Sequence, residues 1–187
     1  MSTQQPLRAE DIAPEFRQQI FKQDYSKKPT IDGVRIVDLP SFSDDGGYFL
    51  ELTRFVTGHP TAFPDFELKQ MNYSEMDPGV VKAAHLHFQQ EDIWFVPPTQ
   101  KLLIGLMDCR DTSPTKGMKM RFVMGAKKAK LLYIPRGVAH GAANLWQRPA
   151  AIIYFVNNVF DADPEKTDEH RLPWDVFGAD FWEIQKG

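Results

Sequence analysis

The chain has 187 residues but only one cysteine, Cys109, and it lacks a long apolar run. A single cysteine cannot form an intramolecular disulfide, which favours a reducing compartment. The polar N-terminus has no apolar core of the kind found in signal peptides, and no stretch of about eighteen apolar residues is present to span a bilayer. We therefore expect a soluble, cytoplasmic protein with no membrane partner.

The sequence also lacks an excess of positive charge. It has 22 Lys and Arg residues against 25 Asp and Glu residues, which gives a net charge of −3. No basic patch is interleaved with aromatic residues, so we expect no nucleic-acid partner. Hydrophobic residues make up 42% of the chain and aromatic residues 12%, which indicates a globular protein with a sizeable core.

Few stretches of the chain have apolar residues at helical spacing. Residues 10–23 predict one short amphipathic helix, because four apolar residues recur there at helical spacing: Ile12, Phe16, Ile20 and Phe21. From Gly33 onward the chain consists of short β-like runs separated by Gly, Pro, Asp and Asn. The ten runs are VRIVDLP, YFLELTRFV, ELKQMNYSEM, GVVKAAHLHF, DIWFVPP, KLLIGLMDCR, MKMRFVM, AKLLYIP, AANLW and AIIYFVNNVF. Strands of this number and spacing predict a sandwich or barrel.

The C-terminal tail is first polar and then aromatic. We expect four of its side chains to pack across the outside of the barrel or against a neighbouring subunit: Trp174, Phe177, Phe181 and Trp182. No composition shift marks a second domain. The prediction is one domain over residues 1–187 with a barrel core at about 33–162.

Two segments carry histidines in a chemically informative pattern. His85, His87 and Glu91 lie in the segment GVVKAAHLHFQQE, and His140 lies in PRGVAHGAAN. Positions 85 and 87 of a strand point to the same face, and Glu91 follows closely enough to turn toward it. Together with His140 from the second segment, these three residues can bind a divalent transition metal. The alternatives are half-exposed strand histidines or an acid–base pair.

The spacing of these residues resembles both sequence motifs of the cupin superfamily. The first segment resembles the Gly, His-x-His, Glu motif, and the second resembles the Pro-x-Gly, His, Asn motif. The resemblance implies an all-β jelly-roll barrel, here with a short N-terminal helix and an aromatic C-terminal tail. It also implies a bound divalent metal, with Fe, Mn, Ni and Zn all compatible with the ligands.

Over roughly residues 33–175 the chain resembles the dTDP-4-dehydrorhamnose 3,5-epimerase family more closely. The similar segments are FSDDGGYFLELTR, KQMNYSEMDPGVVKAAH, MDCRDTSPTKG, LLYIPRGVAHG and AIIYFVNNVF. The segment LLYIPRGVAHG is the sharpest match. The resemblance implies a homodimer that acts on a small-molecule substrate by metal-free proton transfer.

The family's functional residues fall on specific positions of this chain. His85 falls on the catalytic base and Tyr154 on the catalytic acid. An alternative for Tyr154 is an aromatic residue of the core. Three further residues fall on positions that contact the nucleotide-sugar, namely Glu51, Gln70 and Asn72, and Lys82 replaces an arginine that precedes the base.

The chain also departs from the family pattern. The family's Arg-Gly pair becomes Gly46-Gly47, and the lysine that stabilises the enolate falls on Ile93. The segment with the aspartate that partners the base is absent, so Asp175 and Asp180 are candidates for that role. His87 and Glu91 are additions that the cupin metal motif requires.

These features leave several functions open. Because a metal-bound ring nitrogen has no lone pair with which to accept a proton, His85 can be a ligand or the base but not both. The leading hypothesis is an isomerase that acts on a keto-sugar or nucleotide-sugar by metal-assisted proton transfer. The alternatives are a metal-dependent cupin oxygenase that uses Fe(II) and a metal-binding cupin without catalytic activity.

Overall fold

The computed structural model describes residues 5–26 and 28–185, and most of the regular structure in these residues is β-strand. The strands are β1 Arg35–Asp38, β2 Ser41–Asp44, β3 Gly47–Leu50, β4 Phe55–Val56, β5 His59–Pro60, β6 Gln70–Met76, β7 Val81–Leu86, β8 Asp92–Phe95, β9 Lys101–Asp108, β10 Lys119–Gly125, β11 Lys130–Ile134, β12 Val138–Ala143, β13 Ala150–Val156 and β14 His170–Arg171. The prediction of an all-β fold is confirmed.

Two five-stranded antiparallel sheets face each other. The first sheet has the order β1-β11-β8-β13-β6 and the second has the order β10-β9-β12-β7-β14. Two small hairpins, β2–β3 and β4–β5, lie outside them. Side chains from the facing surfaces of both sheets form the main core, which includes Leu106 and Ile104 of β9, Leu132 of β11 and Ile152 of β13. Their burial provides the main driving force for closing the two sheets on each other.

The predicted N-terminal helix is shorter than its apolar pattern suggested. A 3₁₀ turn at Ala9–Asp11 precedes a single helical turn, α1, at Pro14–Arg17. Phe16, Ile20 and Phe21 are exposed, so the expected helix over residues 10–23 is wrong in extent. A short helix whose apolar face is not packed against other structure is marginal in water, which accounts for the difference. No helix in the described part of the chain has the length and apolarity needed to cross a membrane.

The aromatic tail packs as expected on the outer face of the second sheet. A 3₁₀ turn at Trp174–Phe177 leads into it, and Phe177 and Trp182 are buried against Ala84 and Leu103. Trp174 contributes its carbonyl, which accepts a hydrogen bond from Trp182 Nε1 at 3.0 Å, while its own ring stays largely exposed. The tail therefore covers the back of the sheet that carries two of the motif histidines, His85 and His140.

One strand lies at a different place in the chain than predicted. The run AANLW was expected to be a strand, but β12 begins earlier, at Val138, and ends at Ala143. Gly137, with φ of 76°, forms the turn that starts β12. As a result His140 lies within a fully buried strand at the centre of the second sheet.

Candidate functional site

A cavity of about 520 Å³, including its open mouth, lies between the two sheets. All three motif histidines line it: His85, His87 and His140. Tyr154 of β13 lines it from the first sheet, whereas His85 and His140 belong to the second. The cavity therefore has potential proton-transfer groups on both of its walls.

Strand pairing brings the histidines together. β12 runs antiparallel to β7, with His140 directly opposite His85, and the two rings stack with centroids 5.7 Å apart. The ring of His87 lies 5.2 Å from that of His140. A register shift follows His140, which allows Lys82, three residues before His85, to line the cavity as well.

His85 is hydrogen-bonded to a glutamate. Its Nδ1 lies 2.5 Å from Glu169 Oε1. Burial opposes ionisation of Glu169, but the hydrogen bond from His85 and the nearby positive charges outweigh it and hold the pKa of Glu169 below its usual value. Because an ionised carboxylate only accepts, Nδ1 of His85 carries the proton and donates. In the neutral ring, Nε2 is then left with a free lone pair, as a general base requires.

The sequence did not predict Glu169 as the acidic partner of His85. Asp175 and Asp180 were considered as partners of the base, but neither lines the cavity. Glu169 reaches it because β14, which begins at the next residue, pairs with the end of β7. The sequence signal is slight, namely an acidic residue directly before a two-residue strand.

Two of the histidine rings are oriented by backbone carbonyls. His87 Nδ1 donates to the carbonyl of Asp168 at 2.7 Å, and His140 Nδ1 donates to that of Val138 at 3.0 Å. A carbonyl oxygen can only accept, so in each neutral ring Nε2 carries a lone pair. Burial, with further contributions from His87 and His85, lowers the pKa of His140 well below its usual value, which keeps this ring neutral.

Asp92 is a carboxylate buried beside these rings. Gln90 Nε2 donates to its Oδ1 at 2.8 Å, and Trp94 Nε1 donates to its Oδ2 at 3.0 Å. The same Oδ2 lies 3.5 Å from His140 Nε2. Burial raises the pKa of Asp92, and interaction with His87 partly opposes the rise. Two acceptors that face each other at this distance attract a proton or a metal cation between them.

His87, Asp92 and His140 together form a possible ligand set. One donor atom from each lies within 4.8 Å of the others, and all three residues are buried. Imidazole and carboxylate ligands bond to transition metals at about 2.0–2.2 Å, so donors around one ion lie about 3–4.5 Å apart. The separation of 3.5 Å between His140 Nε2 and Asp92 Oδ2 falls in this range, and the 4.8 Å limit on the other pairs is slightly wider, so small side-chain movements would bring the set around one divalent ion. His85 is not part of the set.

Glu91 does not join the histidines. Its Oε1 accepts from Arg136 Nη2 at 3.1 Å, and its Oε2 accepts from Asn157 Nδ2 at 3.1 Å. The geometry therefore corrects the expected position of Glu91, because the carboxylates beside the histidines are those of Asp92 and Glu169. The physical reason is strand phase, since Asp92 begins β8 and adjacent residues of an extended chain point in opposite directions.

Tyr154 faces the cavity between Asn72 and Trp94, its cross-strand neighbours. Burial, reinforced by the negative charges of Asp92 and Glu169, raises the pKa of Tyr154. Its hydroxyl therefore remains protonated at neutral pH and can serve as a proton donor. Tyr154 packs against the main core as well, so the two interpretations of this residue are compatible.

The residues expected to contact substrate lie at different distances from the cavity. Lys82 lines it, and its Nζ donates to Ser74 Oγ at 3.0 Å. Gln70 and Asn72 are hydrogen-bonded to each other on β6, in the same row of alternate residues as Ser74, which lines the cavity. Glu51 is remote, because it pairs with Arg54 in a separate surface groove beside β3.

Comparison with known proteins decides the family. The family described as dTDP-4-dehydrorhamnose 3,5-epimerase matches residues 28–175. The chain belongs to this family. It is thus an isomerase-type enzyme, a sugar epimerase built on the cupin jelly-roll fold. The resemblance inferred from the motifs is confirmed.

Relatives support this assignment. The chain is 41% identical over 145 residues to the spore coat polysaccharide biosynthesis protein SpsL of Bacillus subtilis (strain 168), covering 78% of this chain and 91% of that protein. It is 31% identical over 147 residues to the "Probable low-salt glycan biosynthesis epimerase Agl13" of Haloferax volcanii, covering 79% and 90%. Both relatives are matched over nearly their full length.

A solved structure shows the same fold. The dTDP-4-dehydrorhamnose 3,5-epimerase of Bacillus anthracis str. Ames, solved with TDP and PPi bound, superposes with a TM-score of 0.68 at 21% identity. The match covers 85% of this chain and 90% of the solved chain. At this identity the likeness concerns the fold alone.

Proposed function

We propose that the protein epimerises a 4-keto sugar carried on a nucleoside diphosphate, with His85 as the base and Tyr154 as the acid. The observation that carries this proposal is the hydrogen-bonded pair His85–Glu169 in a cavity whose other wall holds Tyr154. A base and an acid on different walls can remove a proton from one face of a carbon and return one to the other. Such an exchange inverts the configuration at that carbon.

The chemistry depends on the substrate ketone. A ketone makes the adjacent C–H acidic, because the resulting enolate places its charge on oxygen. Nε2 of His85 takes the proton, and the carboxylate of Glu169 stabilises the imidazolium that forms. Tyr154 remains protonated because its pKa is raised, so it can donate to the opposite face of the enolate.

The polar residues near the cavity favour an elongated, anionic substrate. Lys82 supplies a cation at the cavity wall, and Gln70 and Asn72 extend the row of residues that begins with Ser74 and Met76. Gly46-Gly47 replaces the Arg-Gly pair that the family resemblance led us to expect. A nucleotide-sugar therefore fits, with an anchoring cation for its diphosphate that differs from the family pattern.

A proton-exchange assay tests this proposal. The purified protein would be incubated in D₂O with dTDP-4-keto-6-deoxyglucose or, separately, with the same keto-sugar lacking the nucleotide. We expect the ¹H signals next to the ketone to disappear, and the nucleotide-linked sugar to react faster. Absence of exchange with both compounds would contradict the proposed activity, whereas equal rates would contradict the nucleotide-sugar preference alone.

We further propose that His87, Asp92 and His140 hold a divalent transition metal. The sequence predicted a metal held by four residues, namely His85, His87, Glu91 and His140. Support comes from the two Nε2 lone pairs and the buried carboxylate, whose spacing fits one ion. The set leaves His85 free to act as the base. A metal held there would supply Lewis acidity to the substrate oxygen, the task of the family's lysine. The sequence aligned that lysine with Ile93, which is buried in a separate core cluster and does not line the cavity.

Metal analysis of matched variants tests the ligand set. We expect Asp92→Asn to lose stoichiometric Fe, Mn, Ni or Zn, and Glu91→Gln to retain it. Loss of the metal from both variants would indicate that Glu91 is a ligand after all. Absence of metal from the reconstituted wild type would contradict the metal site and indicate that Asp92 and His140 share a proton instead. Oxygen consumption that requires Fe(II) would favour the oxygenase alternative, and metal binding without any turnover would favour the non-catalytic one.

We infer a homodimer as the assembly, in line with the family resemblance. The support is exposed apolar surface on an edge strand and a hairpin: Met71 and Tyr73 on β6, and Phe42 and Phe49 on β2–β3. Edge strands with exposed apolar residues favour pairing with another chain. Sedimentation equilibrium tests the inference, which a monomer at micromolar concentration would contradict.

A further inference from the structure

Asp168 is a buried carboxylate that lies outside the cavity and accepts three successive backbone N–H groups. Its Oδ1 accepts from Phe88 at 3.0 Å, and its Oδ2 accepts from Gln89 and Gln90 at 2.8 Å each. The residue is 8% exposed. Burial disfavours its charge, but the three N–H donors hold the pKa of Asp168 below its usual value. Both oxygens of the carboxylate are therefore engaged by backbone donors of one turn.

These contacts join two segments that are about eighty residues apart in the chain. One is the turn after β7, which carries His87 and Gln90. The other is the segment before β14, which carries Glu169. The carbonyl of Asp168 adds a fourth contact, since it accepts from His87 Nδ1. Asp168 thus fixes the turn through its side chain and one histidine ring through its backbone.

The contacts of Asp168 matter for Glu169 because the strand that follows it is short. The further contacts of this segment are a hydrogen bond from the Glu169 N–H to Thr167 Oγ1 at 3.2 Å and two backbone bonds between Leu172 and Ala84. β14 has two residues and pairs with His85 and Leu86. Glu169 also forms an ion pair with Arg171, whose Nε lies 2.9 Å from Oε1, but Arg171 is more than half exposed and holds its position weakly. The base requires its partner oxygen within hydrogen-bonding distance of Nδ1, where Glu169 Oε1 lies at 2.5 Å, and a small movement of this segment would lengthen that bond.

We propose that Asp168 is a positioning residue of the catalytic base, which holds the carboxylate of Glu169 against His85. This inference rests on the proposed function, because it assigns Asp168 a part in the same proton transfer. Asp168 does not line the cavity, so it makes no contact with a bound substrate and acts through the residues it holds. The arrangement differs from a structural cap, whose loss would affect stability without a specific effect on the base.

A double-mutant cycle separates these two roles. Asp168→Asn keeps one acceptor oxygen but places an amide NH₂ against backbone N–H donors. We expect it to lower kcat for proton exchange about 10- to 100-fold, with KM changed less than about threefold. In a Glu169→Gln background the same substitution should lower kcat by less than about twofold, because its target is already lost. An equal factor in both backgrounds, or unchanged kcat in Asp168→Asn, would overturn the proposal.

Asp163→Asn is the matched control. Asp163 caps the same segment, accepting from the backbone N–H of Glu165 at 3.0 Å, and does not line the cavity. We expect its kcat to stay within about twofold of wild type.

Asp168→Glu keeps the buried charge and provides a second test should the asparagine variant unfold. It displaces the carboxylate by one methylene, so kcat should fall again, and an unchanged kcat would count against the proposal.

A second measurement requires no substrate. The proton between His85 Nδ1 and Glu169 should resonate far downfield in ¹H NMR, as expected for a short charge-assisted hydrogen bond. We expect the signal in wild type and Asp163→Asn, and its loss in Asp168→Asn and Glu169→Gln. Retention in Asp168→Asn would refute the positioning role. Because this result is independent of turnover, it distinguishes failure of this inference from failure of the proposed reaction.

Discussion

Glu169 Oε1 lies 2.5 Å from His85 Nδ1, although the two residues are 84 positions apart in the chain. This contact places the proton of the neutral His85 ring on Nδ1. The lone pair of Nε2 is therefore free to accept a proton from a substrate. His85 is not one of the three residues whose donor atoms converge, namely His87, Asp92 and His140, although Glu169 Oε2 also lies 3.8 Å from His87 Nε2. Variants of His85 and of His87 therefore test proton transfer and cation binding separately.

Glu169→Gln should lower kcat about 10²- to 10³-fold, because the neutral amide no longer stabilises the imidazolium of His85. Steady-state kinetics on the 4-keto nucleotide-sugar would measure the change. Glu165→Gln is the control, since Glu165 is an exposed residue of the same segment. Comparable activity of the two variants would argue against a catalytic pair.

Tyr154→Phe should separate the two half-reactions. We expect formation of the epimer to fall about 10²-fold, whereas exchange of the substrate proton by His85 should persist. One ¹H NMR time course in D₂O reports both rates. Normal epimer formation by the phenylalanine variant would exclude Tyr154 as the acid and leave it as a core aromatic residue.

The environment of Asp108 predicts that the folded protein loses stability in acid, independently of catalysis. Its buried carboxylate accepts from Arg110, Ser113 and Thr115. The hydrogen bond from Arg110 is the largest cause of its strongly depressed pKa. The stabilisation is present above the unfolded-state pKa of about 4 and is lost as pH falls toward the folded-state pKa.

Asp108→Asn should accordingly reduce the free energy of unfolding by about 2–3 kcal/mol at pH 7 and weaken its dependence on pH below about 4. Urea titrations at several pH values would measure both effects. Asp111→Asn, at an exposed carboxylate paired with Lys116, is the control and should change stability by less than about 0.5 kcal/mol. Identical acid profiles for wild type and Asp108→Asn would contradict this account.

Gly105 allows the aromatic tail to lie close to β9. A Cβ at this position would stand 2.5 Å from ring atoms of Phe181 and Trp182. Gly105→Ala should therefore displace the tail and destabilise the fold by about 1–3 kcal/mol, with altered tryptophan fluorescence. Gly46→Ala, where the added atom meets only Asp44 Oδ1 at 3.5 Å, is the control. Equal stability of the two variants would show that the tail packs loosely.

The sequence predicted the parts of the site that depend on short-range patterns. The two motifs predicted that His85 and His140 converge, and the structure places them opposite each other on neighbouring strands of the second sheet. Their catalytic and ligand roles stay predictions. Glu91 was chosen over Asp92 because spacing alone does not determine where β8 begins. A shift of one residue moves a side chain to the other face of a strand. Glu169 could not be predicted, since its position depends on the pairing of a two-residue strand with β7.

The fold was predicted more completely than the site. Alternation of apolar residues located most of the strands, and the aromatic spacing of the tail anticipated its packing on the second sheet. The N-terminal segment was the exception, because an amphipathic pattern forms a long helix only where structure covers its apolar face. Phe16, Ile20 and Phe21 have no such cover within the described residues.

Deuterium exchange combined with metal analysis in His85→Asn and His87→Asn tests most directly whether His85 is the base and not a metal ligand. We expect His85→Asn to lose exchange at the carbon next to the ketone while it keeps stoichiometric metal. His87→Asn should lose the metal. Loss of metal from His85→Asn, or exchange at the wild-type rate in that variant, would contradict the account.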